Sequence, residues 1–238
     1  RRCDATEAFG EEVLKTKGFP ESNLPLPWRQ PEASPEETPV PQPDHIMDLP
    51  VPEPETLDAD QRAYFDKCVE KLGFVPNVLK AYSLRPKKLR TFTLLYNELM
   101  LGDSGLSKLE REMIAVVVSS HNHCYYCLVA HGQAVRKLAL DPELGEMLAF
   151  NYRVAPLNPR HHAMLDFAHK LTAAPSTVGE ADRAALRAVG FSEEDIFDIA
   201  DVTGFFNQTN RVAHATDMMP NPEYHAMDRI AAPPAKPA

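Results

Sequence analysis

His121-Asn122-His123-Cys124-Tyr125-Tyr126-Cys127-Leu128-Val129-Ala130-His131 holds two of the chain's four cysteines and three of its nine histidines. No Pro or Gly interrupts Cys124 to His131. The run continues through Gln133-Ala134-Val135-Arg136-Lys137-Leu138, which is good helix material. Three residues along a helix advance the direction by about 300° and four by about 400°, so Cys124, Cys127 and His131 share one narrow stripe. Cys127 and His131, one turn apart, are near enough for their side chains to meet. A helix that begins near Cys124 sets its unpaired N–H groups and dipole against the thiols and lowers their pKa values. The imidazole one turn on can accept a proton from Cys127 or stabilise its thiolate. The residues describe a redox-capable dithiol with a base beside it.

Other readings use the same residues. Two cysteines on an apolar helix can be plain packing, since free Cys is among the most buried residues, although the flanking histidines fit that poorly. His121, His123, Cys124, Cys127 and His131 are all possible zinc ligands, so a zinc-binding, non-catalytic protein is one alternative. Many structural zinc sites take a second Cys or His pair from elsewhere, and this chain has no second C-x-x-C. Haem attachment needs His directly after the second Cys, where Leu128 stands. A thioredoxin-type pair needs a strand before the helix, and the segment before Cys124 reads as helix.

The composition is that of an ordinary globular chain: 238 residues, 44% hydrophobic and 25% charged, enough for one sizeable core. A formal charge of −9 argues against nucleic acid or an anionic membrane surface as a general partner. No apolar run approaches the ~18 residues that span a bilayer. Arg1-Arg2-Cys3-Asp4 leads into acidic and polar residues, so no secretory signal is expected, and the missing Met leaves room for an upstream start. Four cysteines are too few for a disulfide framework in a chain of this size, and a reducing, cytoplasmic setting is expected.

Eleven of the 22 prolines fall between Pro20 and Pro54. Residues 1–54 therefore read as an extended or disordered arm, with Trp28 its natural anchor if it docks. From Thr56 the pattern is helical, with Leu57, Tyr64, Cys68 and Leu72 on one face, which places Cys68 in the core. A break follows at Gly73-Phe74-Val75-Pro76-Asn77, then a short helix to Leu84 and another from Pro86 to Gly102. Ser107 and Glu110 form a capping box. The helix they open carries Met113-Ile114-Ala115-Val116-Val117-Val118, apolar on every side and hence central. Further helices are expected up to Leu140, over 142–150, from Pro159 through Leu171, from Glu180 to Val189, and from Ser192 to about Thr216. The tail, residues 226–238, reads as loose. No alternating strand pattern stands out, and the fold class is all-α.

Glu112 borders the central apolar run, where desolvation raises a carboxylate's pKa unless a partner compensates. If its helix and the cysteine helix pack as a hairpin, Glu112 can reach His131, giving a nucleophile–base–orienter arrangement. A first-turn carboxylate serving the helix dipole fits the spacing as well. Asn207, Asn210 and Arg211 interrupt an otherwise apolar helix. They read as a hydrogen-bond network between helices or subunits, with Arg211 also able to pair with Glu112 or position a substrate. His161, His162, His169, His214 and His225 have no motif context and read as surface or packing residues.

Glu112, the Cys124–Cys127 pair and His131 together have the form E-x11-C-x2-C-x3-H. This resembles the alkylhydroperoxidase D-like (AhpD-like) branch of the carboxymuconolactone decarboxylase superfamily. Leu106-Ser107-Lys108-Leu109-Glu110-Arg111-Glu112, running into Val118-Ser119-Ser120-His121-Asn122-His123-Cys124, is similar to its peroxidase-related subgroup. So is Phe205-Phe206-Asn207-Gln208-Thr209-Asn210-Arg211-Val212-Ala213. The resemblance covers roughly residues 55–225 and implies an all-helical homo-oligomer with thiol peroxidase chemistry. On that resemblance Cys127 is oxidised by the peroxide. Cys124 takes part in proton transfer and closes the disulfide, while Glu112 and His131 activate the thiols. No cofactor is implied beyond an external dithiol reductant of the thioredoxin or lipoyl type. One position departs from the pattern: Tyr126 stands where the family has a His before the second cysteine, with His123 the nearest residue to take its place. A non-redox enzyme of the same superfamily is the other alternative, although its decarboxylases generally lack the cysteine pair.

Overall fold

The computed structural model describes residues 42–230, which contain nine α-helices and no strand. The helices are α1 (Ala59–Leu72), α2 (Asn77–Tyr82), α3 (Pro86–Leu101), α4 (Lys108–His121), α5 (Tyr125–Ala139), α6 (Pro142–Asn151), α7 (Pro159–Ala173), α8 (Glu180–Ala188) and α9 (Glu193–Ala215). The all-α class read from the sequence holds.

α4 is the centre. Every residue from Glu110 to Ser119 is buried, and α5, α6, α7 and α9 pack around it. An amphipathic helix has one face to bury, whereas α4 must be enclosed on all sides, and this sets the arrangement of the others. The expected capping box starts it: Glu110 N–H donates to Ser107 Oγ at 3.1 Å, and Ser107 N–H donates to Glu110 Oε2 at 2.8 Å. Arg111, also buried, donates to the carbonyls of Leu99 and Gly102 and ties the end of α3 to the start of α4.

The α4–α5 joint is unusually short. His123 has φ 54°, the left-handed conformation that glycine commonly supplies after a helix. His123 N–H donates to Ser120 O (3.1 Å) and Cys124 N–H to Ser119 O (2.9 Å), the paired closing bonds of a Schellman motif. Cys124 then serves as N-cap of α5 in extended backbone, so it stands just outside the helix.

Three expectations are revised. The Pro-rich arm does not reach residue 54 as a separate piece. Asp48 N–H donates to Thr216 O, Met219 N–H donates to Ile46 O, and Met47 is buried, so the helical unit begins at Gln42. Proline blocks helix and central strand but leaves an extended strap free to pair its remaining amides. Residues 1–41, with Trp28, lie outside the described residues. The tail is likewise fastened as far as Arg229: Arg136 donates to Met227 O and Arg229 to Glu146. Residues 231–238 lie outside. Finally, Cys68 is only half-buried, because α1 turns that face toward a cavity instead of the core.

Two substitutions test these caps in opposite directions by urea unfolding. Ser107→Ala is expected to lower stability by ~1 kcal/mol through loss of the α4 cap. His123→Gly is expected to raise it by up to ~1 kcal/mol, as relief of the left-handed penalty exceeds the entropy that glycine adds to the unfolded chain.

Candidate functional site

Cys124 and Cys127 stand as free thiols, 1% and 3% exposed, packed with Met47, Ala81, Ala213 and Met218. They are coupled by a hydrogen bond in which the Cys127 thiol donates to Cys124. That bond is the largest cause lowering the Cys124 pKa, from 9.0 to about 7. Burial opposes it, while the Cys127 backbone N–H and, more weakly, the neighbouring His214 and His131 assist. This is the helix N-terminus expected from the sequence, with the N-cap thiol holding the charge. Cys127 moves the other way. Its pKa is raised by the bond to Cys124, by burial and by the Cys124 charge, against hydrogen bonds with Asn210 and Ser119. Cys124 is thus the thiol that ionises first, and Cys127 the one that keeps its proton.

Glu112 and His131 meet across the α4–α5 hairpin. His131 Nδ1 lies 2.6 Å from Glu112 Oε2, with both side chains largely buried. The short contact between a carboxylate and a ring N–H fixes the imidazole. Phe206 packs edge-on against the same ring at 4.6 Å between centroids. Nδ1 is thereby committed to Glu112, and Nε2 is the ring's remaining nitrogen.

Cys127, His131 and Glu112 line one cavity of about 720 Å³, together with Tyr82, Phe92, Tyr96, Tyr126, Phe205 and Tyr224. Cys124 is not among its lining residues. The two thiols thus have different surroundings: Cys127 faces the cavity, and Cys124 sits behind it under the strap.

The polar residues of α9 make a network behind the thiols. Asn122 Nδ2 donates to Asn207 Oδ1 (3.1 Å) and Asn210 Oδ1 (2.9 Å), and Asn210 Nδ2 donates to Ser119 Oγ (3.0 Å). Asn207 also donates to Thr172 Oγ1 on α7. The inter-helix network read for Asn207 and Asn210 is present. Arg211 is exposed, donates to Asn207 O and Oδ1, and has no bond to Glu112. Tyr126 is 4% exposed, and its hydroxyl accepts from Val78 N–H at 3.0 Å, anchoring α2. Burial pushes its phenol pKa well up, so it stays neutral. His123 is exposed and occupied with the backbone turn described above. His121 is also exposed, stacked edge-on against His169. Among the described residues, His121, His123, Cys124, Cys127 and His131 do not converge as a metal-ligand group.

Two contributors escaped the sequence reading. Ser119 sits in an apolar run, where a hydroxyl beside Val118 is the trace it leaves. His214 lies in the last turn of α9 with Nε2 2.9 Å from Asn122 O, and it helps lower the Cys124 pKa. Its signal was periodicity: Asn207, Asn210 and His214 fall on one helical stripe.

The carboxymuconolactone decarboxylase family model matches residues 86–156, which run from α3 through the cysteine helix to the end of α6. An uncharacterized peroxidase-related protein from Silicibacter sp. TM1040 is 60% identical, with TM-score 0.77 over 80% of this chain and 100% of its own. The AhpD core structure of an uncharacterized peroxidase-related protein from Ralstonia eutropha JMP134 is 44% identical, with TM-score 0.77 over 79% of this chain and 99% of its own. The chain belongs to the AhpD-like, peroxidase-related part of the carboxymuconolactone decarboxylase superfamily. The debrominase Bmp8, crystallised with 2,3,4-tribromopyrrole, shares the fold at 20% identity, with TM-score 0.63 over 78% of this chain and 96% of its own. No curated protein matches the chain.

In this AhpD-like site the thiolate fraction of Cys124 should rise as pH increases through about 7, from protonated below to ionised above. Thiolate ultraviolet absorbance during a pH titration of the Cys3→Ser protein checks this, since Cys68 and Cys127 are raised out of that range. His214→Gln should move the midpoint upward, because a neighbour that favours the thiolate is removed.

Proposed function

We propose that this AhpD-like protein is a thiol-dependent peroxidase that cycles between the Cys124–Cys127 dithiol and its disulfide. The observation that carries this is the asymmetry of the pair. Cys127 opens onto an apolar cavity beside Glu112–His131, and Cys124 is a buried N-cap with its pKa lowered to about 7.

The roles follow from that asymmetry. Ionised Cys124 accepts the S–H proton of Cys127 along the hydrogen bond that already joins them. The Cys127 thiolate attacks the nearer peroxide oxygen and the O–O bond breaks, giving Cys127–SOH and an alkoxide. The alkoxide takes the proton held by Cys124 and leaves as the alcohol. Cys124, again a thiolate, attacks the sulfenic sulfur, forms the disulfide and expels hydroxide, which is protonated to water. His131, held by Glu112, is placed to carry protons at the cavity wall, in the nucleophile–base–orienter pattern. An external dithiol of the thioredoxin or lipoyl type then restores both thiols by exchange.

Cys124 already lies outside α5 in extended backbone, so disulfide closure does not require the first helical turn to unwind. Asn210 and Ser119 hydrogen-bond the Cys127 sulfur and favour its thiolate once the proton has moved. Tyr126, anchored to Val78, takes no part in proton transfer.

A thiol count before and after one equivalent of tert-butyl hydroperoxide tests the proposal. Two thiols should be lost, mapped to Cys124 and Cys127, and recovered with a dithiol. Cys127→Ser should abolish turnover, and Cys124→Ser should stop after one oxidation with a trapped sulfenic acid. Glu112→Gln and His131→Gln should slow the reaction by roughly 10²–10⁴-fold, the range of a positioned acid–base group. Multiple turnover by Cys127→Ser would overturn the assignment.

A further inference from the structure

The cavity at Cys127 has a charge pattern that peroxide chemistry alone does not require. Its charged lining consists of Lys67, Lys71, Lys108, Lys137 and Glu112. Glu112 is engaged with His131, so the charges that remain are four ammonium groups. The chain as a whole has the opposite balance, 34 acidic against 25 basic side chains. Among the described residues none of the four lysines makes a salt bridge; the lysine that does is Lys170, with Asp182. Lysine stems do cover apolar surface, but that accounts for the stems and not for the selection of one sign in an acidic protein.

All four lysines are exposed, whereas Cys127 is buried, so the charges stand on the solvent side of the cavity. Lys137 lies ten residues beyond Cys127 on α5, on the order of 15 Å along the helix axis. Lys67 and Lys71 are one turn apart on α1, which forms another wall of the cavity with Tyr64, Cys68 and Leu72. The rest of the lining is mainly aromatic and aliphatic, including Phe92, Tyr96 and Met100. The volume of about 720 Å³ is in the range that holds a ligand of drug size. Hydrogen peroxide or a short alkyl hydroperoxide would leave most of this surface unused.

We propose that the cavity binds an anionic amphiphile, and that the preferred substrate is a hydroperoxide on a long apolar body whose carboxylate meets the lysines. The apolar walls take the hydrocarbon, the lysines hold the acid end, and the ligand length between them sets the peroxide against Cys127. The substrate half of this inference rests on the peroxidase reading; the binding half does not. The oxidation is the one already written, with the hydroperoxy acid reduced to the hydroxy acid.

The experiment separates the two halves. Binding of oleate, below its micelle concentration, is measured by titration calorimetry on the full-length Cys127→Ser protein, with methyl oleate as the neutral comparison. Oleate should bind at least about tenfold more tightly than the ester and lose affinity as salt rises. Lys67→Glu/Lys71→Glu and Lys137→Glu should each weaken oleate by about tenfold and leave the ester unchanged, with Lys→Gln versions giving intermediate losses. On the wild-type protein, kcat/KM for linoleic acid hydroperoxide should exceed that for its methyl ester by a similar factor. Oleate binding as expected without turnover of any hydroperoxide would keep the anionic site and remove the peroxidase reading. Turnover of tert-butyl hydroperoxide with equal affinity for acid and ester would keep the peroxidase and overturn the inference. Lysine variants that slow only re-reduction by the dithiol, with oleate binding intact, would assign the lysines to the reductant and overturn it as well.

Discussion

The three residues between α4 and α5 fix the site. Asn122 ends one helix, His123 turns the chain with positive φ, and Cys124 opens the next. Because the closing bonds of α4 run to His123 and Cys124, the backbone at the first cysteine is held by the central helix. The N–H groups at the start of α5 then face a thiol whose position is already determined. Loosening this joint would separate the hydrogen-bonded thiols and shift the hairpin register that brings Glu112 to His131.

The rest of the molecule can be understood as enclosure of α4. A helix buried on all sides gives a rigid base for the thiols, and it carries Glu112 into a place where an unpaired carboxylate would be costly. His131 supplies the partner and Asn210 the hydrogen bond to Ser119, so the polar groups near the thiols satisfy one another. The same enclosure excludes water from Cys124, whose charge is then stabilised by neighbours at fixed positions: the Cys127 thiol and backbone N–H, His214 and His131. On the open side, α1, α2 and α3 stand back from α4 and α5 and leave the aromatic cavity.

Local chemistry made much of this legible. The capping box at Ser107, the Pro at the start of α3, the Gly73 break and the unbroken apolar run of α4 are rules acting over a few residues, and the structure follows them. The spacing of Glu112, Cys124, Cys127 and His131 placed three of these residues on a common stripe and the fourth on the helix before it. Less legible were features that depend on what a distant segment does. The proline-rich stretch reads as extended or disordered up to residue 54, but Asp48 N–H within it donates to Thr216 O, and Ile46 O accepts from Met219 N–H just past α9. Cys68 had the periodicity of a core residue, but periodicity identifies a face and does not say whether that face meets protein or a cavity.

The helices, their order, the central place of α4 and the C-x-x-C motif with its Glu and His can be read from the chain alone, because caps, turns and amphipathic spacing are written within a turn or two of it. Packing settles which thiol faces the cavity and which holds the charge, that Ser119, Asn210 and His214 lie near the pair, and that four lysines line the cavity. Those outcomes depend on approaches between residues far apart in the chain, Ser119 and Asn210 among them, and the burial and electric field they create belong to the packed molecule, with no counterpart in any local stretch of chain.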